Sequence, residues 1–336
     1  MKKLTQATWE EIFAPTDADE ILYSVMPLKE DGTCEPLVQY LITEEGVEQE
    51  CFAPIPPILK WAGGKSQLLS QMAPHFPASF ENYHEPFLGG GAVFFFLAPM
   101  KGKKSWLSDV NAELINFYQI VRDQIAAFIA TVCAFDKRYR DASHEAQKTL
   151  FYQIRNLDRT LDFDDMSPFQ RAVRFYVLNK TAYNGLYRTN QKGQFNVPWG
   201  RYNRPSLCAQ QQLFDASEVL RRFGVWLKNT SFEAVLDNAQ PNDFVYFDPP
   251  YVPLSATASF TAYTPEGFNV EAQKRLADVC YELDRHGIQF MLSNSDTALI
   301  HDLYAKFNIT KLQARRSINC NGNGRVPVSE LLITNY

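Results

Sequence analysis

Short apolar runs bounded by turn residues alternate with amphipathic stretches over most of the 336 residues, the pattern of an α/β protein. Phe244-Val245-Tyr246-Phe247 is an unbroken apolar run ended by Asp248-Pro249-Pro250-Tyr251, and it reads as a buried strand stopped by a loop that cannot continue it. Strands are also expected near Tyr83, at Ser105-Trp106-Leu107 and from Gln289 to Leu292, with a helix through Phe96 and another from Val110. Residues from about 112 to 181 read as mostly helical, and Gln147 to Leu157 is one of their charged amphipathic stretches. The stretch from Tyr183 to Tyr202, rich in Asn, Gly and aromatics, fits no helix; Gln191-Lys192-Gly193 reads as a hairpin turn with Gly193 at positive φ. The α/β pattern resumes near Phe232. Ahead of the proline-rich joint Ala53-Pro54-Ile55-Pro56-Pro57, residues 21–26 and 37–42 flank a turn at Lys29-Glu30-Asp31-Gly32, a hairpin-like appendage.

Charge changes this picture more than composition does. The net charge of −5 is the sum of −9 in residues 1–57, with three bases and twelve acids, and +4 in the remainder. Met166 to Arg204 holds Arg171, Arg174, Lys180, Arg188, Lys192, Arg201 and Arg204 with no Asp or Glu, which makes it a candidate polyanion footprint or a solvated basic face. No 18-residue apolar run is present and acidic sequence follows the start, so neither a membrane span nor a secretory leader is expected, and a cytoplasmic protein is. The six cysteines are scattered without CxxC spacing and the five histidines do not cluster with them, so neither a disulfide nor a metal is expected.

Three segments carry candidate chemistry. An amino group conjugated to a ring is a poor nucleophile, improved by acceptors that bind both of its hydrogens. Asp248 offers a carboxylate, Pro249 a backbone carbonyl and Tyr251 a flat face for a base, with Pro250 stiffening the loop; the alternative is a turn that merely closes a buried strand. Leu59-Lys60-Trp61-Ala62-Gly63-Gly64-Lys65-Ser66 lacks the first glycine of a phosphate-binding loop. Phe87-Leu88-Gly89-Gly90-Gly91-Ala92-Val93-Phe94 has Phe94 where a dinucleotide fingerprint needs its third glycine. Such a loop still suits a nucleoside without a pyrophosphate, S-adenosylmethionine being the obvious candidate. Asp109, about 20 residues on, stands where a ribose-binding acid belongs, or it caps the following helix with Glu113.

Pro57-Ile58-Leu59-Lys60-Trp61-Ala62-Gly63-Gly64-Lys65, Glu85-Pro86-Phe87-Leu88-Gly89-Gly90-Gly91, Ser108-Asp109-Val110-Asn111, Tyr183-Asn184-Gly185-Leu186-Tyr187-Arg188, residues 195–202 and Asp248-Pro249-Pro250-Tyr251 follow the order of the Dam-type (D12 class, alpha group) DNA adenine-N6 methyltransferases. The chain resembles that family from about Pro57 to Ile333, and residues 253–263 and Arg315-Arg316-Ser317-Ile318 look like the enzymes that methylate GATC.

The resemblance implies a class I methyltransferase fold, a seven-stranded mixed sheet with helices on both faces and an inserted helical and β-hairpin recognition module. It divides the chain into an acidic accessory segment (1–57), two catalytic parts (58–111 and 207–336) and the recognition module (112–206). It implies S-adenosylmethionine as cofactor and double-stranded DNA as partner, with no metal, membrane or obligate protein partner. Asp248, Pro249, Pro250 and Tyr251 match the catalytic motif, while Trp61, Lys65, Phe87, Gly89, Asp109, Phe232 and again Asp248 match cofactor positions, with Ser231 where an acid is common. Tyr183, Asn184, Leu186, Arg188 and Pro198 match positions on or beside the target bases, and Lys180 and Arg201 look like phosphate contacts. Two other readings stand beside this one: a catalytically silent DNA-binding regulator, and an ATP-dependent phosphotransferase using Gly63-Gly64-Lys65-Ser66.

Overall fold

The computed structural model describes residues 9–13, 38–42, 48–52, 54–97, 103–160, 163–202, 205–222, 224–252, 268–314 and 328–336. The expected strand at 21–26, its turn at Lys29-Glu30-Asp31-Gly32, residues 253–263, Arg204 and Arg315-Arg316-Ser317-Ile318 lie outside them. The chain forms two compact units, one of residues 1–62 and 113–222, the other of residues 63–112 and 223–336.

The first unit is mainly helical. It holds α1 (Trp9–Phe13), the antiparallel pair β1 (Val38–Ile42) and β2 (Glu48–Phe52), α5 (Ile125–Asp141), α6 (His144–Asn156), α7 (Pro168–Thr181), α8 (Gln210–Leu220) and all but the first residue of α4 (Ala112–Asp123). Among the described residues, 38–42 pairs with 48–52. Local chemistry starts α7: the Ser167 hydroxyl accepts from Gln170 N–H, the Gln170 side chain accepts from Ser167 N–H, and Pro168 opens the first turn. Phe117, Phe128 and Tyr176 form an aromatic core, with Phe117 stacked on Tyr176 at 5.7 Å. Ring contact between Phe13 and Phe135, and a hydrogen bond from Arg138 to the Ile12 carbonyl, dock α1 on α5.

Two expectations fail in this unit. Cys133 in α5 and Cys208, just ahead of α8, form a disulfide between residues 75 apart in sequence, a pairing that no local spacing can reveal. And the basic run is not all surface: Arg174 is buried 2.7 Å from Asp158, and Arg171 pairs with Glu113. The turn at 191–193 does form. Thr189 bridges Phe195, Gly193 N–H bonds the Asn190 carbonyl and Gly193 has φ 75°.

The second unit is built on a seven-stranded sheet of order β5-β4-β3-β6-β7-β9-β8. Its strands are β3 (Tyr83–Glu85), β4 (Ser105–Asp109), β5 (Val225–Asn229), β6 (Phe244–Phe247), β7 (Gln289–Ser295), β8 (Asn308–Ala314) and β9 (Val328–Thr334). The first five pair in parallel, while β9 runs antiparallel to both β7 and β8. This is the mixed sheet of the class I methyltransferase fold. The unit's helices are α2 (Leu69–Met72), α3 (Ala92–Leu97), α9 (Val270–Arg285) and α10 (Ala298–Leu303). All four residues of β6 are buried, as a continuous apolar run in a central parallel strand requires. At the amino ends of β3 and β6, Asp243 accepts from Asn82 N–H and side-chain amide and lies 3.0 Å from the buried His84 ring. That bracket aligns the two strands whose other ends carry the chemistry.

Candidate active site and recognition surface

Strand order reverses between β3 and β6: β4 and β5 lie to one side, β7, β9 and β8 to the other. Loops leaving the carboxyl ends of two such strands diverge and leave a crevice, the usual ligand site of an open α/β sheet. Asp248-Pro249-Pro250-Tyr251 leaves β6 there, and Glu85-Pro86-Phe87-Leu88-Gly89-Gly90-Gly91 begins with the last residue of β3.

The Asp248 carboxylate is 2.7 Å from the Lys65 ammonium, which is itself 3% exposed. Lys65 also donates to the Gly63 carbonyl and stands 4.8 Å from the centre of the Tyr251 ring. Tyr251 in turn donates its hydroxyl to Glu330 in β9, at 2.6 Å. Burial pushes the Asp248 carboxyl up to about 6, the attraction of Lys65 opposing it and the charge of Glu330 adding to it. Pro249 has no donor, and its carbonyl accepts no hydrogen bond from the described residues. Lys65 is thus engaged by an acid and a carbonyl.

Gly89 and Gly91 take left-handed φ values of 47° and 67°, which a residue with a Cβ adopts only at a cost. The loop is held by Gly91 N–H on the Leu88 carbonyl, Leu88 N–H on the Ser108 carbonyl and Gly89 N–H on Asp109 Oδ2. Asp109 Oδ1 accepts from Asn111 N–H, just ahead of α4. Backbone N–H groups of Gly89, Val110 and Asn111 reach this carboxylate, which still leaves it acceptor capacity for a ribose hydroxyl. Burial raises this carboxyl to about 6 as well, with backbone N–H groups pulling the other way. Phe87 stacks on the buried Phe232 at 5.4 Å and meets Phe268 edge-on, an apolar wall at the start of the loop. Glycines that admit close approach, a carboxylate with spare acceptors and an aromatic wall fit a nucleoside with an amino-acid tail.

The other candidates belong to the first unit. Trp61 lies in the first unit, its ring nearly parallel to that of Tyr187 at 6.2 Å. The buried Asn179 amide donates to the Lys60 and Gly185 carbonyls and accepts from Lys60 N–H, pinning residue 60 to the turn at 183–185. Tyr183 leaves that turn 49% exposed. Asn184 at φ 54° and Arg201 at φ 56° hold left-handed conformations unusual for residues with side chains. Arg188 is exposed, its Nε donating to Asn196 Oδ1 at 2.7 Å. Leu186 is half-buried and Pro198 exposed, the latter's carbonyl accepting from Tyr183 N–H. Lys180 is only 7% exposed, with its ammonium beside the Tyr176 ring and its pKa lowered to about 8 by burial and then by Lys60. Lys60, absent from the expected sites, stands 4.0 Å over the Tyr202 ring. Glu330 was likewise not anticipated, being 79 residues from the tyrosine it holds.

The model of the D12 class N6 adenine-specific DNA methyltransferases matches residues 61–318. The chain belongs to this family. The methyltransferase is 40% identical over 280 residues to the type II methyltransferase M1.LlaDCHI of Lactococcus lactis subsp. cremoris, covering 83% of this chain and 95% of that one. It is 41% identical to the type II methyltransferase M.MjaIII of Methanocaldococcus jannaschii, covering 84% and 99%. To the DNA adenine methylase of Escherichia coli K12 it is 36% identical, covering 82% and 93%. It is therefore an enzyme, and its methyl donor is S-adenosylmethionine. Among the described residues no group of three or more His, Cys, Asp or Glu side chains could hold a metal, and no helix is long and apolar enough to cross a membrane.

Proposed function

We propose that the enzyme methylates N6 of the adenine in duplex GATC after turning that base out of the helix. The observation that carries this reading is the pair of acceptors at the carboxyl end of β6: the Asp248 carboxylate beside the Pro249 carbonyl, which is free of any donor among the described residues. Inside a stacked duplex an adenine amino group cannot reach a loop at the edge of a sheet, so the base must leave the stack at a cost of a few kcal/mol. The two acceptors then take the two amino hydrogens and raise the electron density on nitrogen. Tyr251, fixed by Glu330, offers its ring to the base. Bound S-adenosylmethionine would supply a methyl group on a sulfonium: the C–S bond breaks as the C–N bond forms, neutral S-adenosylhomocysteine leaves, and N6 gives up one of its two hydrogens as a proton to solvent, so the protein's part is orientation and exclusion of water. Gly89 and Gly91 admit the donor's tail, and Asp109 accepts from its ribose.

Sequence choice rests on the first unit. Arg188 reads a guanine edge while Tyr183, Asn184, Leu186 and Pro198 lie against the bases. Arg201 holds a phosphate, a role its exposure suits better than the depth of Lys180 does. The enzyme works in the cytoplasm, on double-stranded DNA. Incubation with radiolabelled S-adenosylmethionine and duplexes carrying GATC or sites changed at one base, followed by nucleoside analysis, tests this. The expected result is N6-methyladenine confined to GATC. Equal labelling of all duplexes removes the specificity, and label on another base removes the assignment.

A further inference from the structure

The loop that carries the acceptors cannot hold itself. Two consecutive prolines remove two backbone donors, so the shape of residues 248–252 has to come from groups elsewhere in the sequence. Three buried side chains, none matched by the motifs above, supply it. Gln273, fully buried in α9, donates its amide to the Pro250 carbonyl at 3.0 Å. Its own carbonyl accepts from the Asn294 amide at 3.0 Å, and Asn294 Oδ1 accepts from Ser295 N–H at 2.9 Å. The Ser295 hydroxyl donates to the Val252 carbonyl at 2.9 Å. The chain of bonds leaves the loop at Pro250, passes through α9 and the end of β7, and returns to the loop two residues on. It occupies the carbonyls on the far side of the double proline and leaves that of Pro249 without a donor among the described residues.

We propose that Gln273 and Ser295, joined through Asn294, are positioning residues that fix residues 250–252 so that the Pro249 carbonyl is the acceptor left for the amino group of the substrate adenine. This rests on the role given to Asp248 and Pro249 above. A buried amide with both ends engaged has one orientation, and a loop held at two carbonyls two residues apart cannot rotate either peptide without breaking a bond to a group shielded from water. Gln273 and Ser295 make no hydrogen bond to the donor cradle at Gly89–Gly91 or to Asp109, and they hold residues 250 and 252 rather than Asp248, so their loss acts far more on the transfer step than on donor affinity.

The test compares Gln273→Met, which keeps the side chain's volume without its amide, Ser295→Ala, which removes one hydroxyl, and Gln273→Glu. Single-turnover methyl transfer to a GATC duplex is measured with the dissociation constants of S-adenosylhomocysteine and of the duplex. The expected result is a transfer rate lowered about tenfold in Ser295→Ala and up to about a hundredfold in Gln273→Met, with both dissociation constants within about threefold of the unmodified protein. Gln273→Glu can donate to the Pro250 carbonyl only when protonated, so its rate falls at high pH where that of the unmodified protein does not. Rates within about twofold of unmodified in both Gln273→Met and Ser295→Ala overturn the proposal, and so does a loss of donor affinity that parallels the loss of rate. An unmodified protein that transfers no methyl group to adenine overturns instead the reading on which the proposal rests.

Discussion

The Lys65 ammonium and the Asp248 carboxylate meet 2.7 Å apart, joining the turn that opens the second unit to the loop that ends β6. Lys65 is the strongest influence drawing Asp248 toward its ionised form, against a burial that favours the neutral acid. The balance leaves the carboxyl at about 6, above its ordinary range but ionised in the main at neutral pH. A neutral acid keeps one oxygen as a donor and is the poorer acceptor for an amino group, so the role proposed for Asp248 depends on its protonation state.

The transfer rate is therefore expected to rise with pH through about 6 and then level off. Lys65→Met removes the attraction and leaves burial, so the rise moves to higher pH and the rate at pH 7 falls. Single-turnover rates between pH 5 and 9 check this. The same raised value means that the folded protein holds a proton the unfolded chain gives up, so this group's stabilising effect is present below pH 4 and is lost as pH rises toward about 6. A flat profile in the unmodified enzyme contradicts the role given to the carboxylate.

Asp109→Ala is expected to lower affinity for S-adenosylhomocysteine by about 1.5 to 3 kcal/mol, the range for a hydrogen bond to a charged group. It also frees Gly89 N–H, so the melting temperature falls too. Calorimetry separates the two effects. Unchanged affinity with lowered melting leaves Asp109 as a tie for the loop and nothing more.

Arg188 commits Nε to Asn196, and the role proposed for its terminal nitrogens, donation to the O6 and N7 of a guanine, is worth about 1 to 3 kcal/mol of discrimination. Arg188→Ala is expected to relax the preference for GATC more than it weakens binding. Arg201→Ala is expected to weaken all sequences alike and to reduce the salt dependence of binding by about one ion. Relative methylation of GATC and of singly changed sites, with binding measured over a range of salt, checks both. The opposite pattern exchanges their roles.

A pair of glycines tests the local geometry of the first unit. A Cβ on Gly185 falls 2.3 Å from Lys60 Cβ, whereas one on Gly193 meets nothing within 4 Å; both have positive φ. Gly193→Ala is expected to cost about 1 kcal/mol, and Gly185→Ala more, because the segment through residue 60 has to move. Thermal melts of the two variants give the ordering. Equal losses contradict the close packing of residue 60 on the 183–185 turn.

Local pattern made much of the sheet legible. β6 announces itself as four apolar residues before a double proline, and β3, β4 and β7 fall where short apolar stretches stand between turn signals. The strand at Val225–Asn229 was not anticipated: it lies at the sheet edge with Trp226 exposed and shows no clean run. The charge run misled in part, because Arg171 and Arg174 find acids outside the 166–204 window, at Glu113 and Asp158. The disulfide between Cys133 and Cys208 and the Tyr251–Glu330 bond each depend on which distant elements pack together. The motifs stand out because the residues of each are neighbours in sequence. The groups that hold those motifs in place come from remote elements and leave no local mark.

The account turns on Asp248, and single-turnover methyl transfer by Asp248→Ala tests it most directly, with Asp248→Asn as a companion that keeps the side chain's volume beside Lys65. Transfer to GATC is expected to be abolished in both variants, with duplex affinity within about threefold of the unmodified protein, because the role proposed for the carboxylate is at the amino group and not on the DNA backbone. Folded variants that bind the duplex and still transfer methyl groups at near the unmodified rate would contradict the account.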